Sequence, residues 1–235
     1  MKTSGQLYLV STGTGDPENI TLRAYKIISN ADLIVTGTAH ADKFSDLLNG
    51  KHVISAGHGM FTNLALRRMS EDDVRVMEQK IQSSIRSSFE KGDTIVVLES
   101  GDPTIFGPHR GYLKAFSDLR PRVIPGVSSV DVANALLGVP FLDDRNQTAM
   151  FSGLDALYNA SSYNIPDIWV LFTMGLDIPK LYRKINELYK PSSSLQLVIN
   201  AGFDDECVIK TTVNSLIDDI KGIDLPKSTL IYLYK

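Results

Sequence analysis

The stretch from Ser70 to Leu98 constrains this chain more than any other. Ser70-Glu71-Asp72-Asp73 opens a helix: the Ser70 hydroxyl can cap it, and an acidic side chain follows three residues later, as in a capping box with Asp in place of Glu. The helix is expected to run to Lys91, with Gly92 as its stop. Thr94-Ile95-Val96-Val97-Leu98 follows at once and is the clearest buried strand in the chain. A strand of this kind, joined to its neighbours through helices, belongs to parallel α/β units.

The same alternation recurs elsewhere. Residues 7–10, 32–36, 51–55, 123–124, 169–172, 195–199, 209–212 and 229–234 are expected strands. Helices are expected over 17–30, 111–119, 179–189 and 213–221, and from Ser128-Ser129 to Leu137. In the first of these, Ile20, Ala24, Ile27 and Ile28 fall on one face. Residues 140–165 are irregular and rich in Asn, Asp and Ser. Arg120-Pro121-Arg122 breaks the pattern, so two α/β domains are expected, 1–120 and 121–235, the second with a mixed sheet open to it.

Composition narrows the partners. The charge of -3 is spread without a basic run, so nucleic acid is not the expected partner. Cys207 is the single cysteine, which excludes an internal disulfide and a cysteine metal cluster and favours a reducing compartment. No metal site is expected. The apolar run at 7–10 is too short for a signal segment, and no run approaches the roughly 20 residues of a membrane helix. A cytoplasmic chain with no membrane partner is therefore expected.

Three glycine-containing loops each follow an expected strand: Gly13-Thr14-Gly15-Asp16-Pro17, the segment from Gly101-Asp102-Pro103 to Gly107, and Pro125-Gly126-Val127-Ser128-Ser129. In open α/β sheets ligands sit beyond the carboxyl ends of strands, and glycine lets a backbone approach them closely. The first loop is not a dinucleotide fingerprint, because Glu18 stands where the third glycine belongs. No Gly-Lys-Ser/Thr follows either, so it is not a phosphate-binding P-loop. A nicotinamide oxidoreductase is disfavoured on the same ground.

Together these loops resemble the signatures of the tetrapyrrole methylase family. Residues 11–21, Gly101 to Gly107, Pro125 to Ser129 and Gly138-Val139-Pro140 carry the resemblance, with weaker matches at Phe172-Thr173-Met174-Gly175 and Asn200-Ala201-Gly202. The resemblance implies a class III methyltransferase: two α/β domains, S-adenosyl-L-methionine in the cleft between them, and a homodimer. It implies donor contacts at Gly101, Asp102, Ile105, Phe106, Ser129, Met174, Ala201 and Gly202, and it turns the loop from Thr12 to Pro17 toward the methyl acceptor. The commonest acceptors it implies are corrin and porphyrin precursors of cobalamin and porphyrin biosynthesis. A peptide or protein acceptor, or a donor-binding module without turnover, stays open. The chain departs from the family pattern at Ser11, at Thr14 and over 146–166, on the acceptor side.

Methyl transfer from a sulfonium needs alignment more than acid catalysis, and a base only where the acceptor loses a proton. Asp16, His58, His109 and Arg110 are the polar candidates. Asp16 either orients the acceptor or caps the helix that opens at Pro17. His109 and Arg110 follow the Gly101 loop and can reach substrate carboxylates, as can Arg67 and Arg68, or else start a surface helix. His58 lies between glycines in a loop. Asp102 accepts from the donor or fixes its own turn. His40 and His52 read as surface residues, and Tyr158, Tyr163 and Trp169 as packing.

Overall fold

The computed structural model describes residues 5–65, 69–138, 140–144 and 147–235. Arg67, Arg68 and Val139 lie outside them. The chain divides into two compact units, Met1–Ser128 and Ser129–Lys235.

In the first unit β1 (Gln6–Ser11), β2 (Leu33–Thr36), β3 (His52–Ser55), β4 (Thr94–Glu99) and β5 (Arg122–Ile124) form one parallel sheet in the order β3-β2-β4-β1-β5. Strand periodicity splits its side chains between two helical layers. Leu7, Leu9, Ile95 and Val97 pack with Val74, Ile81 and Ile85 of α4 (Glu71–Lys91) and with Tyr112 of α5 (Arg110–Ala115). Val10, Val96 and Leu98 pack on the opposite face with Ala24 and Ile28 of α1 (Leu22–Ser29), with Phe44 between α2 (Thr38–Lys43) and α3 (Ser45–Leu48), and with Leu48 of α3. Ile81 and Ile85 are fully buried, each stabilising the fold by about 1.5–3 kcal/mol. Ser70 Oγ accepts from Asp73 N at 3.2 Å, and Gly92 closes α4 at a φ of 95°.

Several elements differ from expectation. The helix expected over 17–30 is two pieces, a 3-10 turn at Pro17–Asn19 and then α1, because Thr21 Oγ1 accepts from Ala24 N at 3.1 Å and restarts the helix. The helix expected over 111–119 ends at Ala115 and continues as a 3-10 turn at Ser117–Leu119. The domain break expected after residue 120 comes one strand too early, since β5 pairs with β1 and completes the first sheet.

The second unit opens with α6 (Ser129–Leu137). Its sheet is mixed: β6 (Ala149–Gly153), β7 (Ile168–Phe172), β8 (Ser194–Ile199), β9 (Cys207–Thr212) and β10 (Thr229–Tyr234), in the order β6-β7-β10-β8-β9. Only the β6–β7 pair is parallel. Val130 and Ala133 of α6 cover one face. The other is covered by α7 (Leu154–Tyr158), α8 (Ile178–Leu188) and α9 (Leu216–Asp219). β6 and α7 occupy the stretch expected to be irregular. One carboxylate organises that edge: Asp167 Oδ2 accepts from Gln147 N, Thr148 N and Thr148 Oγ1 at 2.9–3.0 Å. The helix expected over 213–221 shrinks to α9, because Val213 N and Asn214 N bond back to the carbonyls of Ser193 and Pro191. Trp169 is core, whereas Tyr163 is exposed.

Candidate functional site

Topology selects the crevice in the first unit. From β1 the chain leaves through α1 on one face of the sheet; from β4 it leaves through α5 on the other. β1 and β4 are neighbours, so their loops part at a switch point, where open α/β sheets bind ligands. Two of the three glycine loops emerge here, and they are tied together. Gly101 N donates to Gly13 O at 2.8 Å, Thr12 N to Glu99 O at 2.9 Å, and Ser11 Oγ to the Gly101 carbonyl. The third loop is pressed against the same place: a Cβ on Gly126 would overlap Ser11 Oγ, so glycine is required there. Ser11, which stands where the resemblance expects glycine, is thus fully buried and serves as the hinge of all three loops.

The Gly101 loop is shaped by Asp102. Its Oδ1 accepts from Thr104 N at 2.8 Å and from Thr104 Oγ1 at 2.7 Å, while its carbonyl receives Ile105 N and Phe106 N. Asp102 therefore fixes its own turn through one oxygen. The turn leaves Ile105 and Phe106 exposed at 45% and 40%, apolar surface at the mouth of a crevice. Gly101 itself has a φ of +67° with open space where a side chain would stand, so a ligand can approach its backbone.

The four polar candidates separate. Asp16 is exposed and its Oδ1 accepts from Glu18 N at 2.8 Å, capping the Pro17–Asn19 turn. His109 sits at the end of the Gly101 loop, its Nδ1 buried without a well-formed hydrogen bond. Burial lowers its pKa, while the Asp102 charge and the Gly107 backbone act the other way and Arg110 adds to the lowering. The structure thus brings Asp102, His109 and Arg110 together. His58 follows β3, the edge strand, with β2 between it and β4.

Two residues of this edge were not anticipated. His40, read as a surface residue, lies on α2 with Nε2 2.8 Å from Thr12 Oγ1. Burial, and secondarily Lys43, lowers its pKa to about 4, so it is neutral at pH 7. Glu99 ends β4 and is shielded enough that desolvation raises its pKa to about 7. The only sequence signal for Glu99 is a carboxylate directly after an apolar strand. For His40 there is none, since α2 was not expected.

The second unit brings two of the sequence-predicted segments to one edge of its sheet. β7 and β8 run parallel to each other on either side of β10, so Thr173-Met174-Gly175 and Asn200-Ala201-Gly202 emerge side by side. The start of β10 clasps both: Thr173 Oγ1 donates to Thr229 O at 2.8 Å, Asn200 N to Ser228 O at 3.2 Å, and Ser228 Oγ to Asn200 Oδ1. Met174 and Phe203 are exposed and Ala201 is buried. Gly202 N donates to Glu206 Oε2 at 2.8 Å. Ser129 begins α6 and is half-buried.

Comparison with known proteins matches residues 6–217 to the family described as Tetrapyrrole (Corrin/Porphyrin) Methylases. The S-adenosyl-L-methionine-dependent uroporphyrinogen III methyltransferase of Arabidopsis thaliana, a chloroplastic protein, is 27% identical over 98% of this chain and 63% of its own length. The cobalt-precorrin-4 C(11)-methyltransferase of Methanocaldococcus jannaschii is 25% identical over 98% of this chain and 88% of its own. The chain spans about half the length of several other curated relatives, which are siroheme synthases. Among solved structures, uroporphyrin-III C-methyltransferase from Thermus thermophilus superposes with a TM-score of 0.72 at 22% identity, covering 98% of this chain and 92% of that one.

Proposed function

From the premise that the chain belongs to the tetrapyrrole (corrin/porphyrin) methylase family, we propose that it transfers a methyl group from S-adenosylmethionine to a tetrapyrrole precursor. The observation that carries this reading is the Gly13–Gly101 bridge at the sheet's switch point, which joins the family's two glycine loops where a ligand is expected. In support, the relatives from A. thaliana and M. jannaschii are named as methyltransferases of this class.

The residues suit such a donor. Exposed Ile105 and Phe106 on the loop that opens at Gly101, together with exposed Met174 and buried Ala201 in the second unit, offer apolar contact and backbone polar groups to a nucleoside thioether. Gly101, Asp102, Ile105, Phe106, Ser129, Met174, Ala201 and Gly202 are the proposed donor contacts. The donor supplies an electrophilic methyl group on a sulfonium. The protein's share is to orient and to keep out water. Asp16, His109 and Arg110, with His58 further along the edge, are proposed for the acceptor side, where Arg110 suits a macrocycle that carries carboxylates. A cytoplasmic homodimer acting on no nucleic acid completes the proposal; sedimentation of the purified chain tests the dimer.

Among the described residues no helix is long and apolar enough to cross a membrane. The decisive experiment is calorimetric titration with S-adenosylhomocysteine, with NAD as control, followed by transfer of labelled methyl to uroporphyrinogen III. Saturable binding of the former alone, with label in the macrocycle, is expected. A folded sample that binds neither overturns the proposal.

A further inference from the structure

We propose that Glu99 is the acid–base group of this site, its carboxylate accepting the proton that the acceptor sheds on methylation. This rests on the methyltransferase reading above.

The position comes first. Glu99 is the last residue of β4, beside the switch point and two residues before Gly101. Its carbonyl anchors the opening loop, accepting from Thr12 N at 2.9 Å and Thr12 Oγ1 at 3.2 Å. Strand alternation puts its side chain on the face of Ile95 and Val97, in register with Ser11 on β1. The Glu99 backbone is thus fixed at the ligand edge and cannot move without dislodging the loop opposite, and its side chain projects toward the layer of α5, which follows the Gly101 loop.

The surroundings come next. The ionisable group that senses its charge is Tyr112 on α5, which also senses Glu78 of α4; His40, bonded to Thr12, belongs to the α2 layer on the opposite face of the sheet. None of the described groups in direct interaction with Glu99 is a cation. Among the described residues no hydrogen bond reaches its carboxyl oxygens. Glu99 is half-buried; shielding a carboxylate even partly without such partners costs stability, and the strand would be as well formed with an apolar residue here. Burial also holds this carboxyl's pKa near neutrality, where a base can both accept and release a proton. The two loop carboxylates are otherwise engaged: Asp102 fixes its turn and Asp16 caps one.

The chemistry balances. Methylation at a ring carbon breaks the C–S bond, whose electron pair stays on sulfur as a neutral thioether, and forms a C–C bond from a ring π pair. The positive charge passes to the macrocycle, which becomes neutral again by losing a proton. The Glu99 carboxylate takes that proton and yields it to solvent.

The test uses the full-length chain as wild type, Glu99→Gln and Glu99→Asp. Affinity for S-adenosylhomocysteine is expected to agree within twofold among the three. In chain labelled with 13C-glutamate, one carboxyl resonance, absent from Glu99→Gln, is expected to titrate near neutral pH and to shift its midpoint when uroporphyrin III is added. Methyl transfer to uroporphyrinogen III should rise through that midpoint in the wild type. In Glu99→Gln it should lose the inflection and at least tenfold in rate at pH 8, with part of the rate recovered in Glu99→Asp. A wild type that does not bind S-adenosylhomocysteine overturns the methyltransferase reading and this proposal with it. Intact donor binding, with a Glu99 carboxyl indifferent to the porphyrin or a Glu99→Gln rate within twofold of wild type at every pH, overturns the proposal alone.

Discussion

Gly101 donates its backbone N–H to the carbonyl of Gly13 at 2.8 Å, 88 positions apart in the chain, and this bond joins the loops of two neighbouring parallel strands beyond the end of their ladder. It is kept only while Gly101 holds its left-handed backbone, with φ of +67°.

Gly101→Ala tests that dependence. The new Cβ meets no atom within 4 Å, so the penalty is conformational alone, about 1–2 kcal/mol. Urea unfolding is expected to show that loss, with a larger proportional fall in S-adenosylhomocysteine affinity as the loop relaxes. Unchanged affinity would detach this loop from the donor.

The loops of the second unit depend on a different bond. Thr173 Oγ1 donates to Thr229 O in a fully buried setting. Thr173→Val keeps the shape and leaves that carbonyl unpaired, so a loss of about 1–3 kcal/mol is expected, and Thr173→Ser should restore most of it. Thermal melting of the three chains decides the matter. Equal stabilities would mean that Ser228 alone holds the clasp.

The elements that were legible in the sequence are those whose ends carry their own chemistry. α4 has Ser70 and Gly92 as stops, and β4 opens with four β-branched residues, Thr94-Ile95-Val96-Val97, so both lie where local rules put them. β6 was hidden because Ala149-Met150-Phe151-Ser152-Gly153 has neither alternation nor a β-branched residue; it forms because Asp167, 14 residues beyond Gly153, organises its start. The glycine loops were legible as motifs. Their meeting at one switch point was not, because the order β3-β2-β4-β1-β5 arises from long-range pairing. Likewise His40 counts as exposed until α2 folds it onto Thr12, and Glu99 looks like any strand-end carboxylate until α5 brings Tyr112 within reach of its charge.

His40 predicts an acid-side loss of stability. Its pKa in the folded chain, about 4, lies below the ordinary 6.5, so the unfolded chain binds the extra proton as pH falls between those values. The stability from this group is complete above pH 6.5 and is lost as pH drops toward 4, by up to about 3 kcal/mol. His40→Gln can keep a bond to Thr12 without titrating. Denaturant midpoints at pH 7 and pH 4.5 should therefore differ less in the variant than in the wild type. An equal difference in both would show that His40 titrates normally.

Glu99 predicts the opposite sign. Its folded pKa, about 7, lies above the ordinary 4.5, so between those values the folded chain holds a proton that the unfolded chain has released. Stability from this group is intact below about pH 4.5 and falls as pH rises to 7, because the folded chain must then hold a charge in a partly desolvated site. Glu99→Gln removes that charge while keeping the shape. It should leave the melting temperature unchanged at pH 4.5 and raise it at pH 8, a gain of about 2–3 kcal/mol at full effect. A more stable yet slower protein is the pattern expected of a group kept for chemistry, since such sites commonly trade stability for activity. A Glu99→Gln chain that is less stable at pH 8 would mean that the carboxylate is satisfied in the fold, and its role would then be structural.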